Sequence, residues 1–237
     1  HIKSHMLLRS DALCDIKEED INLLTSKYQL KRVIDLRCEN ESEDKPDIRI
    51  DGVELILNPI LPREKVGISK KGDAKTDFTD FVKTLHENGI ESSNAFMNKI
   101  YEEVINSTFS KNAYQNFFKI LLKPVEGATL WHCSAGKDRA GFATILLLAA
   151  LDFDKEVIVS DYLATNQFYE KSVLEMKAQL GDFYEEILWC VFGVKQEFID
   201  TIFETIDKNY GGMDAYLEIL GISSKEKEQL KKLYLEV

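Results

Sequence analysis

The sequence predicts an α/β fold, a central mixed sheet flanked by helices, with a helical lid-like insertion and a helical C-terminal part. Three observations carry that prediction. Lys31 to Leu36 and Val53 to Leu57 are short apolar, β-branched runs of strand length. A third apolar run, Ala128 to Trp131, passes through a polar stretch into a fourth, Ala140 to Leu151, and so reads as a buried strand turning into a helix. From Lys155 onward the apolar spacing is helical almost throughout, with Gly181, Gly211, Gly212 and Gly221 as punctuation.

Taken in order, Asp15 opens an Asp-Ile-Lys-Glu pattern that supplies an N-cap and an acid three positions on, and Ile21, Leu23, Leu24 and Tyr28 give the helical face. The charged stretch Glu39 to Asp47, with Pro46 inside it, reads as a turn between two strands. Residues 59–110 begin with Pro59 and Pro62 and become helical around Phe96, Ile100 and Val104; they read as a lid or specificity insertion. Phe78, Phe81 and Phe96 line a pocket there or belong to the core, and His86 has no assigned role. Tyr114, Phe117, Phe118 and Leu121 suit a core-facing helix ahead of the Ala128 strand. Lys155 to Leu180 reads as one long amphipathic segment capped by Asp154, followed by helical segments over Asp182 to Asn209 and Met213 to Leu220. The charge run Lys225 to Lys232 is a solvated helix face.

The chemistry is concentrated in His132-Cys133-Ser134-Ala135-Gly136-Lys137-Asp138-Arg139, where a cysteine stands six positions before an arginine at the strand-to-helix turn. The unpaired amides and the dipole of a helix N-terminus favour an anion there. They also lower a thiol from about 8.5 to roughly 3.5–7.5 when cations are near, so Cys133 is placed to attack phosphorus. Arg139 offers a planar fork that clamps two phosphate oxygens as charge spreads in the transition state. Ser134, Ala135, Gly136 and Lys137 form the binding loop, Gly136 tolerating the positive φ of an anion nest. Lys137 adds a second positive charge at the mouth, or is a solvated charge. Asp138 protonates a leaving oxygen if its side chain turns into the pocket, or is a plain N-terminal helix acid favoured by the dipole. His132 points away from the substrate and holds the loop by hydrogen-bonding backbone.

These residues resemble the protein tyrosine phosphatase superfamily, and within it the atypical bacterial tyrosine and phosphoinositide phosphatases whose loop reads HCxAGKDR. The resemblance extends to Leu8 through Leu13, similar to the family's first strand motif, to Val33-Ile34-Asp35-Leu36-Arg37 followed by Glu41, to Asp161 through Asn166, and to Tyr216 through Gly221. It implies a cysteine-based phosphatase fold, a phosphocysteine on Cys133, transition-state binding by Arg139 and an acid and base at Asp138. Most of the superfamily carries its acid on a separate upstream loop, where Asp73, Asp77 and Asp80 stand here, and no motif selects among them. Many relatives have Ser or Thr after the arginine; this chain has Ala140, which predicts slower breakdown of the intermediate.

The implied activity is hydrolysis of phosphate monoesters on phosphotyrosine, phosphoserine or phosphothreonine proteins and phosphoinositides, with no cofactor and no metal. The competing readings are a sulfurtransferase with a persulfide cysteine, which the Arg139 spacing opposes, and a non-catalytic phosphate-binding module, which intact Cys133 and Arg139 oppose. Cys38, directly after the Asp-Leu-Arg segment, either forms a reversible disulfide with Cys133 or is a separate half-buried thiol.

The 237 residues, 44% of them hydrophobic, suit a single domain, predicted over residues 6–237. His1 to His5, ahead of Met6, read as appended residues. A formal net charge of −11 argues against nucleic acid as a partner and against a polybasic membrane anchor. Four cysteines without paired spacing suggest neither a disulfide framework nor a metal site. No apolar run approaches the roughly 20 residues of a membrane span. The expected location is cytoplasmic, or secreted from a form carrying its own signal peptide.

Overall fold

A computed structural model describes residues 1–62, 74–87 and 92–236. Its centre is a four-stranded sheet of β1 (Leu7–Ser10), β2 (Leu30–Asp35), β3 (Glu54–Leu57) and β4 (Ala128–His132), ordered β1-β4-β2-β3, in which every ladder is parallel. Such pairing requires crossovers on the faces of the sheet and buries the middle strands on both sides. All five residues of β4 are accordingly buried. Leu130 and Val33 face a small core with Leu13 and Leu30, whereas Trp131 and Ile34 face the large one, the alternation expected along a strand.

Helix α1 (Glu18–Ser26) connects β1 to β2. It begins after Lys17, two residues later than the Asp15 cap predicts, because Leu13–Asp15 is taken up by a short 3-10 turn. The stretch expected as a charged turn after β2 is instead a helix, α2 (Glu39–Asp44). The Glu41 carboxylate accepts from the Cys38 amide at 3.0 Å, so a residue of the first turn reaches back to an N-terminal orphan donor, as in a capping box.

Between β3 and β4 run α3 (Ala74–Glu87), α4 (Ser93–Asn106) and α5 (Thr108–Leu121). Phe78 and Phe81 are buried in the main core and Phe96 packs against it, so these rings are structural. The side chain of His86 lies outside the described residues. Ser92 and Ser107 cap α4 and α5 through their hydroxyls. Helix α6 (Arg139–Ala150) is apolar on nearly every face, which fits its place at the centre of the core.

The long segment after it breaks at Thr165 into α7 (Lys155–Ala164) and α8 (Asn166–Leu180). Then come α9 (Glu185–Phe192), α10 (Gln196–Tyr210), α11 (Met213–Ile219) and α12 (Ser224–Tyr234). Gly211 ends α10 at φ +82°, a left-handed cap conformation open to glycine. Lys225 and Lys232 of α12 are exposed, whereas Lys227 and Lys231 are half-buried and paired with Asp152. Ile2 and Lys3, before Met6, lie against Leu235 and Tyr234. Among the described residues no helix is long and apolar enough to cross a membrane.

Candidate active site

The loop Cys133–Asp138 leaves the carboxyl end of β4, the middle of the sheet, and runs directly into α6. Ligands gather at this edge of a parallel sheet because loops diverge there and helix N-termini point in. Trp131 ties the two sides of the loop together, its indole N–H donating to Ala140 O and Thr144 Oγ1, each at 3.2 Å.

The loop's carbonyls are held from outside. Ser134 O accepts from the Ala12 amide at 3.3 Å, Ala135 O from the Tyr169 hydroxyl at 2.5 Å, and Gly136 O from Arg9 Nη1 at 3.1 Å. A trans peptide points its C=O and the next N–H in opposite directions. The amides of Ala135, Gly136 and Lys137 are therefore turned towards the inside of the loop, which makes an anion cradle from backbone alone. Gly136 sits at φ +69°, and a Cβ there would come 2.3 Å from Ser10 O. Only glycine lets the loop lie this close to the end of β1.

Behind Cys133, His132 is fully buried, its Nδ1 3.0 Å from the Cys133 carbonyl. Its Nε2 lies 2.8 Å from Asp47 Oδ2, hydrogen-bonding distance although out of line with the ring N–H. Arg37 closes the network, with Nη2 2.7 Å from Asp35 Oδ2 and 2.9 Å from Asp47 Oδ1. Burial would raise the Asp47 carboxyl, but the His132 ring and the Arg37 charge outweigh it and hold it low. Asp35, Asp47 and His132 bring three possible metal-donor atoms within 4.8 Å of one another, and the Arg37 guanidinium already supplies a cation there. Arg37 thus braces the strand ends and does not reach the loop's interior.

Arg139 and Glu41 define the other wall. The guanidinium is bidentate to the carboxylate, Nη1 to Oε2 at 2.5 Å and Nη2 to Oε1 at 2.9 Å, and Ser134 Oγ donates to Oε1 at 2.6 Å. Burial opposes charge on Glu41, yet Arg139 keeps its carboxyl well below the usual range. Burial opposes charge on Arg139 too, and Glu41 and Cys133 raise it. The Cys38 thiol donates to Glu41 at 2.6 Å. Burial, then this bond and the Glu41 charge, push that thiol up to about 11, so Cys38 is a poor thiolate.

Over the loop lies a small pocket of about 30 Å³ walled by Leu61, Met97, Ile100, Val104, Tyr114 and Phe142, with Cys133, Asp138 and Arg139 at its base. The structure therefore gathers Cys133, Asp138 and Arg139 in one place. Of the rival acids, Asp73 and the side chain of Asp77 lie outside the described residues, and Asp80 is exposed on α3.

Lys137 differs from its expected place. Its ammonium is buried away from solvent, donating to Cys190 O at 2.8 Å and Gly193 O at 3.0 Å, and it lies 3.5 Å from Asp138 Oδ2. It is a strut between the loop and the turn after α9, not a charge at the mouth, because two orphan carbonyls below the loop outcompete solvent for it. Tyr101 and Tyr169 carry no signal in the sequence beyond helical spacing. Glu41 does have one, its position three residues after Cys38 at the end of a strand.

A cysteine and an arginine brought together at a strand-to-helix turn over a backbone anion cradle are the apparatus of phosphate monoester chemistry. The chain matches the model of the tyrosine phosphatase family over residues 1–236 and belongs to that family, a superfamily of hydrolases acting on phosphorylated substrates. It is 27% identical over 235 residues to the triple specificity protein phosphatase PtpB of Mycobacterium tuberculosis, covering 86% of this chain and 81% of that one. It is also 25% identical over 213 residues to a tyrosine-protein phosphatase of Nostoc commune, covering 85% and 65%. A putative tyrosine-protein phosphatase of Cupriavidus necator is 34% identical over 109 residues, or 44% of this chain and 40% of the relative.

Proposed function

We propose that the protein hydrolyses phosphate monoesters of tyrosine, serine and threonine side chains and of phosphoinositides through a phosphocysteine. The observation that carries the reading is that Cys133 and Arg139 lie together at the base of one pocket, beside a loop whose carbonyls are bonded from outside. In the first step the Cys133 thiolate attacks phosphorus, an S–P bond forms and the P–O bond to the leaving group breaks. Asp138 gives its proton to the departing oxygen. In the second step a water attacks the phosphocysteine, Asp138 takes its proton back, and the S–P bond breaks to release phosphate and the thiolate. Arg139 and the loop amides follow the charge on the equatorial oxygens through both steps.

Aliphatic and aromatic walls favour an aryl ring. A cavity that takes up benzene is on the order of 150 Å³. The pocket has about 30 Å³, so its cover, formed largely by α4, shifts to admit a phosphotyrosine. Helix α4 thus serves as a lid. With the Lys137 ammonium committed elsewhere, breadth of specificity comes from the width of the opened cover and from the backbone cradle.

The test is phosphate release from phosphotyrosine and phosphoserine peptides and a phosphoinositide panel by the wild type and Cys133→Ser, with acid-quench trapping of a phosphorylated Cys133. Release that disappears in Cys133→Ser, with label on Cys133, supports the reading. No release from any substrate refutes it in favour of a binding module.

A further inference from the structure

Asp138 occupies the position before the first residue of α6, where an aspartate ordinarily turns back to accept from its own helix amides. It makes no such bond. Its Oδ1 instead accepts from the Tyr101 hydroxyl at 2.7 Å, and the Tyr101 oxygen is 2.8 Å from the hydroxyl of Tyr162. Because the carboxylate can only accept when ionised, the chain has one consistent direction, Tyr162 donating to Tyr101 and Tyr101 to Asp138. Both phenols are buried, so neither hydroxyl has water as an alternative.

We propose that Tyr101 is a positioning residue for Asp138, and that the acid is aligned only while α4 covers the loop. This rests on the phosphatase reading above and deepens it. With Oδ1 occupied by Tyr101, the transferable proton belongs on Oδ2, which makes no hydrogen bond among the described residues and lies 3.5 Å from the Lys137 ammonium. Tyr101 belongs to the same helix whose Met97, Ile100 and Val104 close the pocket. One element therefore both excludes solvent and orients the proton donor. When it lifts to admit substrate or release product, the hydroxyl leaves with it. Tyr162, on α7, stays behind to fix the Tyr101 rotamer on return.

The experiment is a series of aryl and alkyl phosphates of rising leaving-group basicity, assayed with the wild type, Tyr101→Phe, Asp138→Asn and the double variant. A general acid contributes about 10²–10⁴-fold where the leaving group needs its proton. Tyr101→Phe is expected to lose about tenfold in kcat on the most basic leaving groups and much less on the most acidic. It should cost nothing further in the Asp138→Asn background, because the two act as one unit. A uniform loss across the series would make Tyr101 a packing residue and overturn the proposal. Should Tyr101→Phe fail to fold, Tyr162→Phe decides: a weaker loss of the same slope supports the proposal, and a flat response overturns it. An Asp138→Asn enzyme without leaving-group dependence overturns it differently, by placing the acid elsewhere while phosphocysteine trapping still succeeds. Absence of any wild-type turnover would overturn the phosphatase reading itself, and the proposal with it.

Discussion

The Glu41 carboxylate meets the Arg139 guanidinium end on, both Nη atoms engaged at 2.5 and 2.9 Å, so the arginine's orientation is set by a residue 98 positions away on α2. Nε bonds to nothing among the described residues. Nη2 donates as well to Ser134 Oγ at 3.1 Å, so the guanidinium is fixed from two sides. Two further donors, Ser134 Oγ and the Cys38 thiol, keep the carboxylate from following the arginine elsewhere.

Replacing Glu41 by Gln puts an amide N–H₂ against one of the guanidinium nitrogens and removes the countercharge. Breaking one partner of a buried ion pair costs about 3–5 kcal/mol. The expected outcome is a clear drop in melting temperature and a fall of about 10²-fold in kcat, the scale of losing one oriented transition-state donor. Steady-state kinetics beside thermal melts check both. Unchanged kcat would mean that Arg139 orients itself.

The same pair shapes the acid side of the stability curve. An unfolded glutamate titrates near about 4.3, and the folded Glu41 is held well below that. A depressed folded value stabilises the protein fully above the unfolded one and is lost as pH falls through the folded value. Asp47 is shifted in the same direction and adds to the slope. Urea melts from neutral pH downward are expected to show stability falling below about pH 4.3, less steeply in Glu41→Gln. Parallel slopes in the two proteins would contradict the assignment.

The fold was legible where one period dominates. The β4 strand turning into α6 is an apolar run that changes period across a polar loop, and the structure follows it to within one residue at each boundary. Within Glu39 to Asp47, α2 was not legible as a helix, because its six residues are all polar and present no apolar stripe. Its helicity comes from Glu41, which serves its own amide cap and a distant arginine at once. Lys155 to Leu180 has continuous spacing, and its break at Thr165 is tertiary: the Thr165 hydroxyl accepts from Arg9, which also holds Gly136 O. The cysteine and arginine of the loop were legible from spacing, since a backbone cradle needs few side chains. The direction of Lys137 was not, because nothing local announces the two carbonyls, 53 and 56 residues on, that capture it.

Lys137→Met tests that capture. It leaves the carbonyls of Cys190 and Gly193 without their donor, at about 1–3 kcal/mol for each buried orphan. Stability should fall, while the ratio of kcat/KM between phosphoinositides and phosphotyrosine peptides should stay within about twofold, the scatter expected where no contact to substrate is lost. A selective loss on phosphoinositides would put the ammonium back at the mouth.

Helix α4 is fastened at a place remote from Cys133. Asn94 and Asn98, one turn apart on α4, each donate at 2.9 Å to a different oxygen of Glu197 on α10. Both bonds are solvent-exposed, so each is worth about 0.5–1.5 kcal/mol at most. Glu197→Ala should leave the fold intact and raise the frequency with which α4 opens by up to about tenfold, the ratio that 1.4 kcal/mol represents. Two measurements read this: hydrogen exchange across residues 93–106, and the rate at which iodoacetamide alkylates Cys133, which is buried beneath α4. Both should rise together, because the helix that shields its own amides also shields the thiol. If exchange quickened while alkylation did not, the route to Cys133 would run past some other element, and α4 would be a packed helix without a gating role.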